Sequence, residues 1–183
     1  MLKRNKKFNN VLRMIFVGEL NKRKGFPDFL DIASAMNERE FIAVGKWNLS
    51  YKKPRLNNVV FLGELDNKEV IKHYDYSDIL IFPSYDETFG RVILEAMARG
   101  LCIITTTLPA IKEYFINDKN GYMVSPGDIK SIMGLIEYLD INRDKIKEIS
   151  KNNLKYVKNF SPDNQGAIYL ELIDSLQTNK LGQ

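Results

Sequence analysis

The chain has 183 residues, 44% hydrophobic and 27% charged, with a formal net charge of +4 and a pI near 9.0. These are the values of a soluble globular protein with enough length to bury a core in one domain. One cysteine, Cys102, excludes an internal disulfide and a cysteine-rich metal site, and one histidine, His73, excludes a multi-histidine metal cluster.

The first ten residues, MLKRNKKFNN, are basic and lack the apolar segment and cleavage site of a secretory signal, so residues 1–10 read as a solvated tail. LRMIFVG then reads as a strand ending at Gly18, and GFPDFLDIASAM as an amphipathic helix with Phe26, Phe29, Leu30, Ile32, Ala33 and Met36 inward. EFIAVG and NVVFLG are a second and a third strand, and NKEVIKHYDYS is a helix with Asn67 as its expected cap. DILIFP is a fourth strand, placed centrally by its unbroken apolar character. The helix RVILEAMAR stops at Gly100, a residue type suited to the position after a helix. LCIITTT is a fifth strand in which Cys102 reads as a small buried hydrophobe. A short helix around AIKEYF leads into NGYMVSPGD, read as turn, short strand and loop. Helices over DIKSIMGLIEYLD, NRDKIKEISKNNLKYVKNF and, after Ser161-Pro162, DNQGAIYLELIDSL close the chain. The expected domain is 11–178, followed by a tail at 179–183.

Strands alternating with helices predict an α/β fold, a doubly wound, Rossmann-like open parallel sheet with helices on both faces. Such sheets bind ligands outside the carboxyl ends of their strands, which directs attention to the loops after Gly18, Gly45, Gly63, Pro83 and Thr105. In the loop after Pro83, a helix starting near Gly90 leaves backbone N–H groups of Gly90, Arg91 and Val92 facing outward, a place for an anion. Glu95 lies among Val92, Ile93, Leu94, Ala96 and Met97. It can pair with Arg91 or Arg99, four residues away on either side, or accept bonds from two neighbouring hydroxyls such as those of a ribose. The residues alone leave both readings open. Glu87 reads as a solvated loop carboxylate, or as a group that bonds a sugar hydroxyl or balances positive charge at an anomeric carbon. A loop residue and a helix residue do not form the paired carboxylates of a glycosidase. Lys24 suits a phosphate, but within Lys22-Arg23-Lys24 the solvated reading prevails. Trp47 can stack on a base or cap the core, and backbone groups at Leu62 and Gly63 can face a base edge.

The order FVGELNKRKG, AVG, VVFLGEL, SDILIFPSYDETFGRVILEAMARG, ITTTLPAIKEYF, NGYMVSPGD is similar to the C-terminal, nucleotide-sugar-binding half of GT-B glycosyltransferases. The similarity is greatest to the retaining "glycosyl transferases group 1" of family 4, and it covers Met14 to about Tyr138. Within it, Glu87 and Glu95 form the family's Glu-x7-Glu signature. The resemblance implies that Lys24 contacts the donor diphosphate and that the amides of Phe89, Gly90, Arg91 and Val92 hold donor sugar or phosphate. It also implies that Glu87 serves the transferred sugar catalytically, that Glu95 holds the ribose, and that Gly18 and Leu62 border the donor. It implies no cofactor and no metal, a nucleoside-diphosphate sugar as donor substrate, and an N-terminal acceptor domain in cis or in trans. A cytoplasmic setting, with peripheral contact at the inner face of a membrane, and no nucleic-acid partner complete that expectation.

Two positions depart from the family pattern: Glu19 stands where many relatives carry arginine, and Pro109-Ala110 where Gly-Gly is common. These departures keep a second reading in view, a non-catalytic binding module that retains the fold. The basic pI alone supports a third, a nucleic-acid binder whose affinity falls steeply with salt.

Overall fold

A computed structural model describes residues 11–50 and 52–160. The basic tail, the helix expected over DNQGAIYLELIDSL and the tail at 179–183 lie outside those residues.

Six strands pair in parallel throughout, in the order β3-β2-β1-β4-β5-β6. They are β1 Arg13–Val17, β2 Glu40–Val44, β3 Val59–Gly63, β4 Ile79–Phe82, β5 Cys102–Thr106 and β6 Gly121–Val124. The helices are α1 Phe26–Ala35, α2 Asn67–Tyr76, α3 Arg91–Ala98, α4 Pro109–Lys112, α5 Ile129–Ile141 and α6 Arg143–Tyr156, followed by a 3-10 turn at Val157–Phe160. The expected α/β architecture is therefore the observed one. All four residues of β4 are buried, as the continuous apolar run required.

Side-chain alternation along each strand divides the core into two layers. Met14, Phe16, Phe41, Ala43, Ile79, Ile81, Cys102 and Ile104 pack with Phe26, Phe29 and Ile32 of α1 and Ile132, Ile136 and Leu139 of α5. Ile15, Val17, Ile42, Val44, Leu80, Phe82 and Ile103 pack with Val70 and Tyr74 of α2 and Ile93, Ala96 and Met97 of α3. Cys102 is fully buried, the small hydrophobe that its neighbours predicted. Trp47 packs against the core, where its ring meets Phe26 at 5.9 Å and Phe61 at 6.1 Å in T-shaped contacts. The connection from β2 to β3 holds no helix among its described residues, and Trp47, Leu49 and Leu56 from it seal that side of the first layer.

Three details differ from the sequence reading. The cap of α2 is Asp66, whose carboxylate accepts from the Glu69 N–H at 2.9 Å, and Asn67 is the first helical residue. An aspartate one position earlier reaches the same orphan amides and adds negative charge at the positive helix end. The helix expected over AIKEYF is a single turn that ends at Lys112. The helix expected over residues 142–160 stops being α-helical at Tyr156 and tightens into the 3-10 turn.

The last helical layer is pinned by a buried amide pair. The Asn153 amide donates to the carbonyls of Leu101 at 2.7 Å and Asn120 at 2.9 Å, and its own oxygen accepts from the Asn120 amide at 2.9 Å. At Gly121, with φ at +141°, a Cβ would stand 1.9 Å from the Ile103 carbonyl oxygen, so only glycine lets β6 lie against β5. Gly121→Ala is expected to lower the unfolding free energy by about 2 kcal/mol or more in urea titrations, by forcing two backbones apart.

Candidate functional site

The site lies where the doubly wound sheet predicts it, at the carboxyl ends of β1, β2 and β4. Two loops meet there and are closely joined. Gly25, the left-handed residue that starts α1, packs so tightly on β4's exit that a Cβ would sit 1.9 Å from the Pro83 carbonyl oxygen. The Tyr85 N–H donates to the Arg23 carbonyl at 2.9 Å, and the Ser84 hydroxyl donates to the Asp86 carbonyl at 2.8 Å. Arg23 reaches Asp86 at 3.4 Å, and the Tyr85 hydroxyl donates to the Asp28 carboxylate at 2.8 Å.

This junction brings Lys24 and Glu87 together. Their charged ends are 2.5 Å apart, with side chains only 15% and 11% exposed. Neither is the solvated loop charge that the residue run suggested. Burial pushes the Glu87 carboxyl up, but the Lys24 hydrogen bond and charge, with the N–H groups of Thr88 and Gly90, outweigh it and leave the group below its ordinary value. The Lys24 ammonium also stands 5.6 Å from the centre of the Phe82 ring. Gly18 approaches the same ring from β1, since a Cβ there would lie 4.0 Å from a Phe82 ring carbon.

At the same strand ends opens a crevice of about 480 Å³, lined among others by Gly18, Glu19, Lys46, Glu64, Leu65 and Glu95. Gly45 is part of its floor, and its own closeness to Gly18, 1.8 Å from a Cβ to the Gly18 carbonyl oxygen, keeps the β1 and β2 exits in contact. Glu95 stands exposed at the rim rather than in dry surroundings. Among the described residues it forms no ion pair, and its carboxylate lies 3.5 Å from the Tyr74 hydroxyl. Arg99, the expected partner within α3, is held in two-pronged fashion by Asp75 of α2, at 2.7 and 2.5 Å. The structural reading of Glu95 as the partner of Arg99 is thereby overturned.

The remaining candidates separate. Gly90 starts α3 in the left-handed conformation with φ at +74°, and its N–H points to Glu87. Phe89 is 43% exposed, Arg91 is exposed, and Val92 packs against the second core layer. Leu62 is not brought to the crevice. It lines a separate groove with Val60, Ile42 and His73, beside α2. The third strand's contribution comes instead from Glu64 and Leu65, which follow Gly63 directly. The rule about strand ends pointed to that loop, but nothing in the residue types singled the two out. Glu19 accepts from the Asn48 amide at 2.5 Å. It therefore adds a carboxylate to the crevice wall. No group of three or more metal-ligating side chains occurs among the described residues, and no helix in them is long and apolar enough to cross a membrane.

Residues 2–156 match the family described as Glycosyl transferases group 1. The chain belongs to the glycosyl transferases group 1 family. It is 28% identical over 169 residues to the capsular polysaccharide biosynthesis glycosyltransferase CapM of Staphylococcus aureus, covering 86% of this chain and 44% of that protein. The chain spans less than half the length of the first curated relatives it matches. The crystallised C-terminal domain of the group 1 protein LpcC from Francisella tularensis superposes with a TM-score of 0.71 at 24% identity, over 81% of this chain and 85% of that one. HepE of Anabaena, solved with UDP and glucose, superposes with a TM-score of 0.77 at 21% identity, over 92% of this chain and 48% of that one. The fold is thus the C-terminal half of a GT-B glycosyltransferase, as the motif order implied.

The Lys24–Glu87 contact gives a direct test. With Lys24 removed, burial is opposed only by backbone amides, so in Lys24→Met the Glu87 carboxyl is expected to titrate higher than in the parent chain, read by carboxyl NMR. Because the native carboxyl is held low, the pair's contribution to stability is full above the ordinary glutamate value of 4.5 and is lost as pH falls below it. Glu87→Gln is expected to flatten that acid limb of the stability profile.

Proposed function

We propose that the chain is the donor-binding domain of a retaining glycosyltransferase that moves a sugar from a nucleoside diphosphate to a glycan, polysaccharide or lipid-linked acceptor. The observation that carries this reading is the half-buried Lys24–Glu87 pair at the same carboxyl ends of the strands that hold the Gly18–Glu95 crevice. A rim carboxylate, a cation and a second carboxylate are the groups that a donor's ribose, diphosphate and sugar call for. The ribose hydroxyls bond Glu95, the diphosphate meets Lys24 and the start of α3, and the sugar faces Glu87.

The chemistry follows from charge. The bond between the anomeric carbon and the phosphate oxygen breaks, its electron pair stays on the diphosphate, and a new bond forms to an acceptor hydroxyl oxygen, whose proton passes to the departing diphosphate. Lys24 stabilises the growing negative charge in a partly dry setting, where a cation acts more strongly than in water. Glu87 stabilises positive charge at the anomeric carbon. The carboxylates of Glu19, Glu64 and Glu95 line the crevice with Lys46, so Lys24 and Lys46 are the counter-charges for the diphosphate. No metal is needed for this assignment. An N-terminal acceptor domain, in cis or in trans, supplies the other wall of the cleft, so the chain alone binds donor and transfers sugar poorly or not at all.

Calorimetric titration with UDP, GDP and ADP and their glucose conjugates tests the reading. Saturable binding of at least one pair is expected. Glu95→Ala should weaken that binding about tenfold or more, the scale of losing charge-assisted hydrogen bonds, with little change in Tm because Glu95 is exposed. No saturable binding to any of the six compounds overturns the assignment.

A further inference from the structure

Tyr114 follows the single-turn helix α4 and is 7% exposed, in the core layer beneath the Glu87–Gly90 loop. Its hydroxyl donates to the Phe89 carbonyl oxygen at 2.8 Å. In a trans peptide the carbonyl and the following N–H point in opposite directions. With the Phe89 oxygen tied to Tyr114, the Gly90 N–H is turned away from the phenol, at a residue that Glu87 closely approaches, and it helps to hold the Glu87 carboxyl low. The two groups flank the same residue, since a Cβ on Gly90 would lie 2.8 Å from the Tyr114 hydroxyl and 3.5 Å from Glu87 Cγ. Gly90 is therefore required for space as well as for its left-handed φ.

Tyr114 is itself held from behind. The Tyr156 hydroxyl of α6 donates to the Tyr114 carbonyl at 2.5 Å. The Phe160 ring meets the Tyr114 ring edge-on at 5.9 Å, and Phe89 lies 5.6 Å away on the other side. Burial first, and then the Glu87 charge, push the phenol well above its ordinary value, so it remains a proton donor throughout the working range.

We propose that Tyr114 is a positioning residue of the donor site, whose hydroxyl sets the Phe89–Gly90 peptide so that the Gly90 N–H supports the Glu87 carboxylate. The role in donor binding rests on the function proposed above, whereas the alignment of the peptide does not. A tyrosine that merely fills the core keeps its effect when reduced to phenylalanine, because the ring is unchanged. A tyrosine that aligns the peptide does not.

The test compares the 15N-labelled chain with Tyr114→Phe and Tyr156→Phe. In the parent chain the Gly90 amide shift is expected to follow the titration of Glu87. In Tyr114→Phe the amplitude of that response should fall by about half or more, and Gly90 amide exchange should quicken about fivefold, the scale of one lost hydrogen bond. Tyr156→Phe keeps the Tyr114 hydroxyl and should leave the Gly90 response in place. In calorimetry, Tyr114→Phe should weaken UDP-, GDP- or ADP-glucose, whichever the parent binds, about fivefold more than it weakens the matching diphosphate. An unchanged Gly90 response in Tyr114→Phe overturns the proposal, as does an equal change in Tyr156→Phe, which would mark general loosening. If the parent chain binds none of the nucleotides, the donor assignment fails, while the Gly90 response still decides whether Tyr114 aligns the peptide.

Discussion

The site depends on backbone approaching backbone at the carboxyl edge of the sheet. Gly25 against Pro83 and Gly45 against Gly18 are contacts in which a Cβ would stand 1.9 and 1.8 Å from a carbonyl oxygen. No side chain fits there, so the loops leaving β1, β2 and β4 cannot drift apart without breaking the sheet's own edge. The hydrogen bonds from Tyr85 and Ser84 then have short distances to cover. Lys24 and Glu87, 63 residues apart in the chain, meet because the backbones beneath them already touch.

That closeness has an electrostatic consequence. A half-buried lysine and glutamate in contact are each the other's replacement for water, and neither is easily moved without a substitute. An anion entering beside Lys24 offers one, since it can share the ammonium while Glu87 keeps its amides from Thr88 and Gly90. The pair is thus a charge arrangement prepared before any ligand arrives, with a carboxylate that stays ionised. The crevice at the same strand ends carries Glu19, Glu64 and Glu95 against Lys46, so its wall is mostly negative. On the donor-binding reading, this locates the diphosphate at Lys24 and directs the neutral, hydroxyl-bearing parts of the donor to the carboxylates.

The architecture was legible because it is written in periods. The unbroken apolar runs of β1, β2 and β4 and the spacing of α1 and α3 each match one physical environment, and the structure reproduces them. The site was legible where a loop position follows from strand order, as for Gly18, Lys24 and the Glu87–Gly90 loop. It was not legible where a side chain's partner lies on another element. Lys24 and Glu87 each read as solvated because neither neighbourhood mentions the other. Leu62 and Glu64 differ by two positions in the chain, yet the turn at Gly63 sends one to a groove beside α2 and the other into the crevice. Tyr114 carried no signal beyond being an aromatic residue next to a short helix.

Glu95 shows how a tie at the level of sequence is broken by competition in space. A carboxylate four residues before an arginine on one helix face gains only about 0.2–0.5 kcal/mol from pairing. Asp75, from α2, offers Arg99 two parallel hydrogen bonds at 2.7 and 2.5 Å, the stronger arrangement for a planar guanidinium. Arg99 therefore ties α3 to α2, and Glu95 is left at the crevice rim with the Tyr74 hydroxyl 3.5 Å away. Tyr74 is buried, and burial together with the Glu95 charge keeps its phenol protonated. A carboxylate with one weak neutral neighbour and an open side retains most of its capacity to accept hydrogen bonds. The residue that a helix diagram would assign to an internal ion pair is, in three dimensions, the one available to a ligand.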